Sequence, residues 1–142
     1  MDIKEFKGAI FDLDGTLLDS MHIWHDVDEE FFRRRNLKVT PEYIEVIKNM
    51  HLKAAAVYTK EKYNIKEDID EIVDEWLELC TQGYLNDVDL KPGVFEYLKS
   101  LHEKGIKMSF ATASEKQVCE GTLKKHGIFD FFDTFAYVSE IN

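Results

Sequence analysis

The strongest constraint on this chain is a break in hydrophobic period. Residues 6–11, Phe-Lys-Gly-Ala-Ile-Phe, read as a short buried strand. Four amphipathic helical patterns follow, and strand character returns only at Ile106–Ala111 and Phe135–Val138. The first helix spans about Ser20 to Arg35, with acids early and arginines late, as the helix dipole favours. Thr40-Pro41 marks an N-cap and a first helical position, and two more helices run from about Leu52 to Tyr63 and from about Lys66 to Leu85. After Lys91-Pro92-Gly93 comes a helical stripe of Val94, Leu98 and Leu101, and after the second strand a helix from Glu115 to His126, stopped by Gly127. Strands separated by helices pair in parallel. The expected fold class is therefore α/β, with an all-helical block inserted after the first strand. The expected divisions are 1–18, 19–87 and 88–142.

The first strand runs into Asp12-Leu13-Asp14-Gly15-Thr16. Open α/β sheets place ligands at the carboxyl ends of their strands. Two acids two residues apart in extended chain project to one side and repel, so such a pair holds a cation or shares a proton. An oxygen-loving divalent ion such as Mg²⁺ suits it, and the two carboxylates can then divide attack from proton transfer. A calcium loop is excluded, because its sixth and twelfth places hold Leu17 and Ile23. A plain solvated Asp-Gly turn is the competing reading. At the second strand end, Thr112 and Ser114 offer hydroxyls beside the open N–H groups of a helix, an anion cradle. Taken alone, Ser114 reads as a helix cap.

Charge bears on what such a site must do. Among 142 residues, 18 Lys and Arg face 28 Asp and Glu, a net charge of −10. This disfavours nucleic acid and anionic membranes as partners. A phosphate ligand would need a cation or a local positive field. Cys80 and Cys119 lie in no metal or disulfide pattern, as suits a reducing, cytoplasmic setting.

In combination, Ile10-Phe11-Asp12-Leu13-Asp14-Gly15-Thr16-Leu17-Leu18-Asp19-Ser20, Lys91-Pro92-Gly93-Val94, Phe110-Ala111-Thr112-Ala113-Ser114 and Gly127-Ile128 with Phe131-Phe132-Asp133 resemble the haloacid dehalogenase superfamily of phosphatases. The helical block resembles the cap of the subgroup containing β-phosphoglucomutase. The resemblance implies a partial Rossmann-like parallel sheet carrying an inserted helical cap. It implies Asp12 as nucleophile and Mg²⁺ ligand, with Asp14 as general acid and base and, through its backbone carbonyl, a second ligand. It implies Thr112 as phosphoryl binder, helped by backbone N–H at Ala113 or Ser114, and a small phosphorylated metabolite as substrate. Trp24 stands where mutase-like members carry a histidine, and a Ser-Arg pair is missing near Met50-His51-Leu52-Lys53, which favours hydrolysis over mutase chemistry. The family's third-motif lysine and fourth-motif acids lie downstream of the third strand. The expectation is thus a C-terminally truncated core, with self-association through its exposed edge, or a catalytically incompetent remnant kept for binding.

Other candidates have plainer readings. His22 and His25 sit one helical turn apart without further ligands, and Arg33-Arg34-Arg35 reads as a solvated helix end. Trp24, Phe31, Phe32 and Trp76 read as helical core, Lys53 as a speculative substrate contact, and Lys124 and Lys125 as solvated.

Overall fold

The computed structural model describes residues 7–137. The chain forms two compact units, one of residues 1–23 with 81–142 and one of Trp24–Cys80.

The first unit is built on a parallel sheet of β1 (Gly8–Phe11), β4 (Lys107–Thr112) and β5 (Thr134–Tyr137), in the order β1-β4-β5. Phe11 pairs with Phe110 and Phe110 with Phe135, so aromatic side chains line one face. Phe132 meets Phe110 edge to face at 5.0 Å, and Tyr97 of α5 (Val94–Glu103) meets Phe11 at 6.3 Å. Both crossovers, β1 to β4 and β4 to β5, travel the same way across the sheet. Right-handed connections therefore place α5 and α6 (Lys116–Lys125) on one face. The opposite face carries Gly8, Ile10, Lys107, Ala111 and Thr134, all exposed. Among the described residues β1 is the outermost strand on its side of the sheet, and its Ile10 is 79% exposed. The third strand begins one residue before its expected start, and Val138 lies outside the described residues.

One feature without a sequence signal is a ribbon of two residues on each side, β2 (Leu18–Asp19) antiparallel to β3 (Asp89–Leu90). It moves the start of α1 (Ile23–Arg33) past the expected Ser20, because Leu18 and Asp19 are extended.

The second unit is helical. Thr40 caps α2 (Pro41–Ile47) by accepting the Tyr43 N–H at 3.2 Å, with Pro41 opening the helix. Helix α3 spans Leu52–Tyr63 and ends on Asn64 in the left-handed region. Asp68 and Glu71 exchange side-chain and backbone bonds of 2.9 Å ahead of α4 (Ile69–Asp87), a capping box. Phe31, Phe32, Tyr43 and Trp76 are buried, with Phe32 4.9 Å from Tyr43 and Phe31 5.5 Å from Trp76.

Two expectations are corrected in this unit. Trp24 is not core: it is 40% exposed, at the unit's first residue, where the apolar stripe of α1 begins and its cover thins. The arginine run is only in part a solvated end: Arg33 is exposed, as expected, whereas Arg35 is covered. Arg35 lies 3.7 Å over the Phe31 ring and reaches Glu75 at 2.6 Å and Glu67 at 3.0 Å. Arg33 and Arg34 grip Glu30, and their hydrogen bonds hold that carboxyl down to about 2. Burial raises Glu75, but its bonds to Arg35 and Arg34 outweigh burial and lower it overall. Arg34 and Arg35 thus stitch the end of α1 to α4.

Candidate active site

Strand β1 ends at Phe11, so both aspartates sit in the loop that follows. That loop is wound on one atom. The Leu13 carbonyl accepts N–H groups from Thr16 (3.1 Å), Leu17 (2.9 Å) and Leu18 (2.9 Å), while Gly15 N–H reaches Leu18 O at 2.9 Å. Gly15 adopts φ +75°, which a side chain resists, and an added Cβ would lie 3.0 Å from Met21 Sδ. The Lys91 N–H then ties the strap to Leu17 O at 2.9 Å. Leu13, fully buried, anchors the turn.

Within this frame the two carboxylates differ. Asp12 is exposed, with Thr16 Oγ1 at 3.4 Å from its Oδ2. Asp14 is half-buried and accepts four hydroxyls. Ser20 (2.8 Å) and Tyr84 donate to Oδ1; Ser114 (2.7 Å) and Thr112 (3.3 Å) donate to Oδ2. Asp14, Thr112 and Ser114, expected from two different strand ends, thus meet in one cluster. Ala113 is exposed between its two neighbours. Ser114 does not cap α6, since its hydroxyl is given to Asp14 and Glu115 holds the N-cap position without a side-chain bond. The Ser114 N–H instead donates to Thr112 Oγ1 at 3.1 Å, which fixes the Thr112 side chain.

The surroundings are dry enough to shift neighbouring groups. Burial first, and then the Asp14 carboxylate, push the Tyr84 hydroxyl above its ordinary range, so it stays a donor. Burial and then the Asp14 charge push the Cys119 thiol up to about 12, which keeps it inert. Cys80 and Cys119 are both buried thiols.

Sequence reasoning passed over Tyr84 and Ser20. Trp76, Cys80 and Tyr84 fall four residues apart along α4, and all three are buried. The available signal was that a buried tyrosine hydroxyl needs a partner. Ser20 follows the loop directly and is 2% exposed, a buried hydroxyl with the same need.

The donor set suits a hard cation in one specific way. Among the described residues no three His, Cys, Asp or Glu side chains gather as a metal group. Mg²⁺ commonly uses one or two carboxylates and completes its shell with water and phosphate, and the exposed Asp12 beside Asp14 meets that demand. His22 and His25 do not form such a group; His25 pairs with Glu29 at 3.1 Å. Lys124 binds Glu120 at 2.8 Å and Lys125 donates to Leu85 O at 2.7 Å, both on the far end of α6 from Ser114.

Residues 9–142 match the model of haloacid dehalogenase-like hydrolases, and the chain belongs to that family. It is 26% identical over 129 residues to a Clostridium perfringens protein named as pyrophosphatase PpaX, covering 91% of this chain and 58% of that protein. It is likewise 26% identical over 137 residues to a Bacillus subtilis protein named as phosphatase YhcW, covering 95% of this chain and 61% of the other. The chain thus spans about three fifths of the length of these curated relatives. Among solved structures, a Thermotoga maritima protein named as a β-phosphoglucomutase shares the fold with a TM-score of 0.81 at 19% identity, over 96% of this chain and 63% of that one. Among the described residues no helix is long and apolar enough to cross a membrane.

Proposed function

We propose that the protein is a phosphomonoester hydrolase that works through Asp12 on a small phosphorylated metabolite. The observation that carries this reading is the meeting of Asp14 with Thr112 and Ser114 beside an exposed Asp12. The Asp12 carboxylate attacks phosphorus while the bond to the leaving oxygen breaks. Asp14 gives that oxygen a proton, then takes one from the water that attacks the aspartyl-phosphate and releases phosphate. Thr112, with the backbone N–H at Ala113 or Ser114, orients the phosphoryl oxygens. Asp12 and the Asp14 carbonyl would hold Mg²⁺, which supplies positive charge against the phosphate. In a chain of net charge −10 that cation matters for binding as well as for chemistry.

Hydrolysis is favoured over sugar-phosphate transfer because Trp24 occupies the place of the mutase histidine. Substrate choice is assigned to the helical unit. A cytoplasmic setting fits the two buried thiols. The exposed edge strand β1, with Ile10 uncovered, supports self-association; sedimentation that stays monomeric at every concentration removes that part.

The test is hydrolysis of a generic phosphomonoester with Mg²⁺ by the intact protein and its Asp12→Asn variant. Replacing the nucleophile is expected to lower kcat by on the order of a thousandfold or more. An unchanged rate ends the nucleophile assignment.

A further inference from the structure

The four hydroxyls on Asp14 fall into two pairs, one on each carboxylate oxygen. Oδ1 takes Ser20 and Tyr84; Oδ2 takes Ser114 and Thr112. The donors differ in freedom. A serine oxygen swings away by one χ1 rotation, and the Thr112 oxygen is steadied by a single bond from the Ser114 N–H, whereas a tyrosine oxygen lies on the ring axis and moves only with the ring. Tyr84 is 1% exposed on the last turns of α4, so its oxygen is a fixed point.

We infer that Tyr84 is a positioning residue that pins Oδ1 of Asp14 and so assigns Oδ2 as the oxygen that exchanges the proton. This rests on the hydrolase reading above. Oδ2 is the oxygen turned toward Thr112 and Ser114, the residues assigned to the phosphoryl group. In the first half-reaction, the Oδ2–H proton goes to the leaving oxygen as its bond to phosphorus breaks and the Asp12 oxygen–phosphorus bond forms. In the second, Oδ2 takes a proton from the water whose oxygen displaces Asp12. Without the Tyr84 hydroxyl, the Asp14 carboxylate can turn about its terminal torsion, and the productive orientation becomes a minority. Tyr84 touches no substrate in this scheme, so binding is left alone.

The leaving group tells this role from a structural one. A glycerol phosphate releases an alkoxide that must be protonated, whereas p-nitrophenyl phosphate releases a stable phenolate. Tyr84→Phe, which keeps the buried ring, is expected to lower kcat/KM on glycerol phosphate about tenfold with little change in kcat/KM on p-nitrophenyl phosphate, because kcat/KM reports the half-reaction in which the leaving group departs and not the hydrolysis of the aspartyl-phosphate that both substrates share. Incorporation of 3-fluorotyrosine at position 84, which keeps the hydroxyl, is expected to retain the glycerol phosphate rate, and it serves as the reference should the Phe variant fold poorly. Equal losses of kcat/KM on both substrates, or no loss on either, overturns the Tyr84 assignment. Asp14→Asn with full activity on glycerol phosphate overturns the underlying reading of Asp14 instead.

Discussion

Two aspartates on either side of the unit boundary, Asp14 and Asp28, are treated in opposite ways. Asp14 is half-buried and receives four hydroxyl hydrogens from four separate positions along the chain. Asp28, on α1 in the helical unit, is 7% exposed, and burial raises it to about 6 despite the opposing influence of His25. The arginines of that unit are committed to Glu30, Glu67 and Glu75. One unit concentrates donors on a single carboxylate at a strand end; the other neutralises charge pair by pair and leaves one acid to bury itself. Concentrated hydrogen bonding without internal neutralisation is how a site is prepared for an incoming charge. Pairwise neutralisation is how helices are fastened.

This contrast can be broken by measurement. The largest expected effect is on the fastening. Arg35→Ala removes two ion pairs and the stack on Phe31, leaving Glu75 partly buried and short of a partner. A loss of about 2–3 kcal/mol in urea unfolding is expected, below the value for a fully buried pair because water still reaches the group. A loss near zero would make the arginine run the solvated end that its sequence resembles.

Asp28→Asn sharpens the contrast through pH. The folded state holds the Asp28 proton up to about 6 against an ordinary 3.8. Stability is therefore greatest while Asp28 is protonated, and falls as pH climbs from about 4 to about 6. The amide should be more stable than wild type by on the order of 2 kcal/mol at pH 7, with the gap closing toward pH 4. A gap that is the same at both pH values would remove the burial argument. The smallest effect is at the site's own frame. Gly15→Ala forces a side chain into φ +75° against Met21 and should cost about 1–2 kcal/mol, seen as a lowered thermal midpoint.

Legibility in the sequence followed the range of the forces involved. The Thr40-Pro41 start of α2 and the span of α3 were legible because caps, proline and helical period are local. So were the strand ends that carry Asp12, Asp14, Thr112 and Ser114. The β2–β3 ribbon was not, since pairing Leu18 with Leu90 depends on contacts more than seventy residues apart and two residues have no period. Ser114 looked like a cap because its local rival for a partner, the helix N–H, is visible in sequence, whereas Asp14 reaches it only through the fold. Arg35 differed for the same reason in reverse: its type and neighbours suggest solvent, and its partners Glu67, Glu75 and Phe31 are tertiary.

The loop that carries the two aspartates has a consequence for hydrogen exchange. The Thr16, Leu17 and Leu18 amides share one acceptor, the carbonyl of the fully buried Leu13. They should therefore lose their protection together, at the rate at which Leu13 leaves its place, rather than one by one.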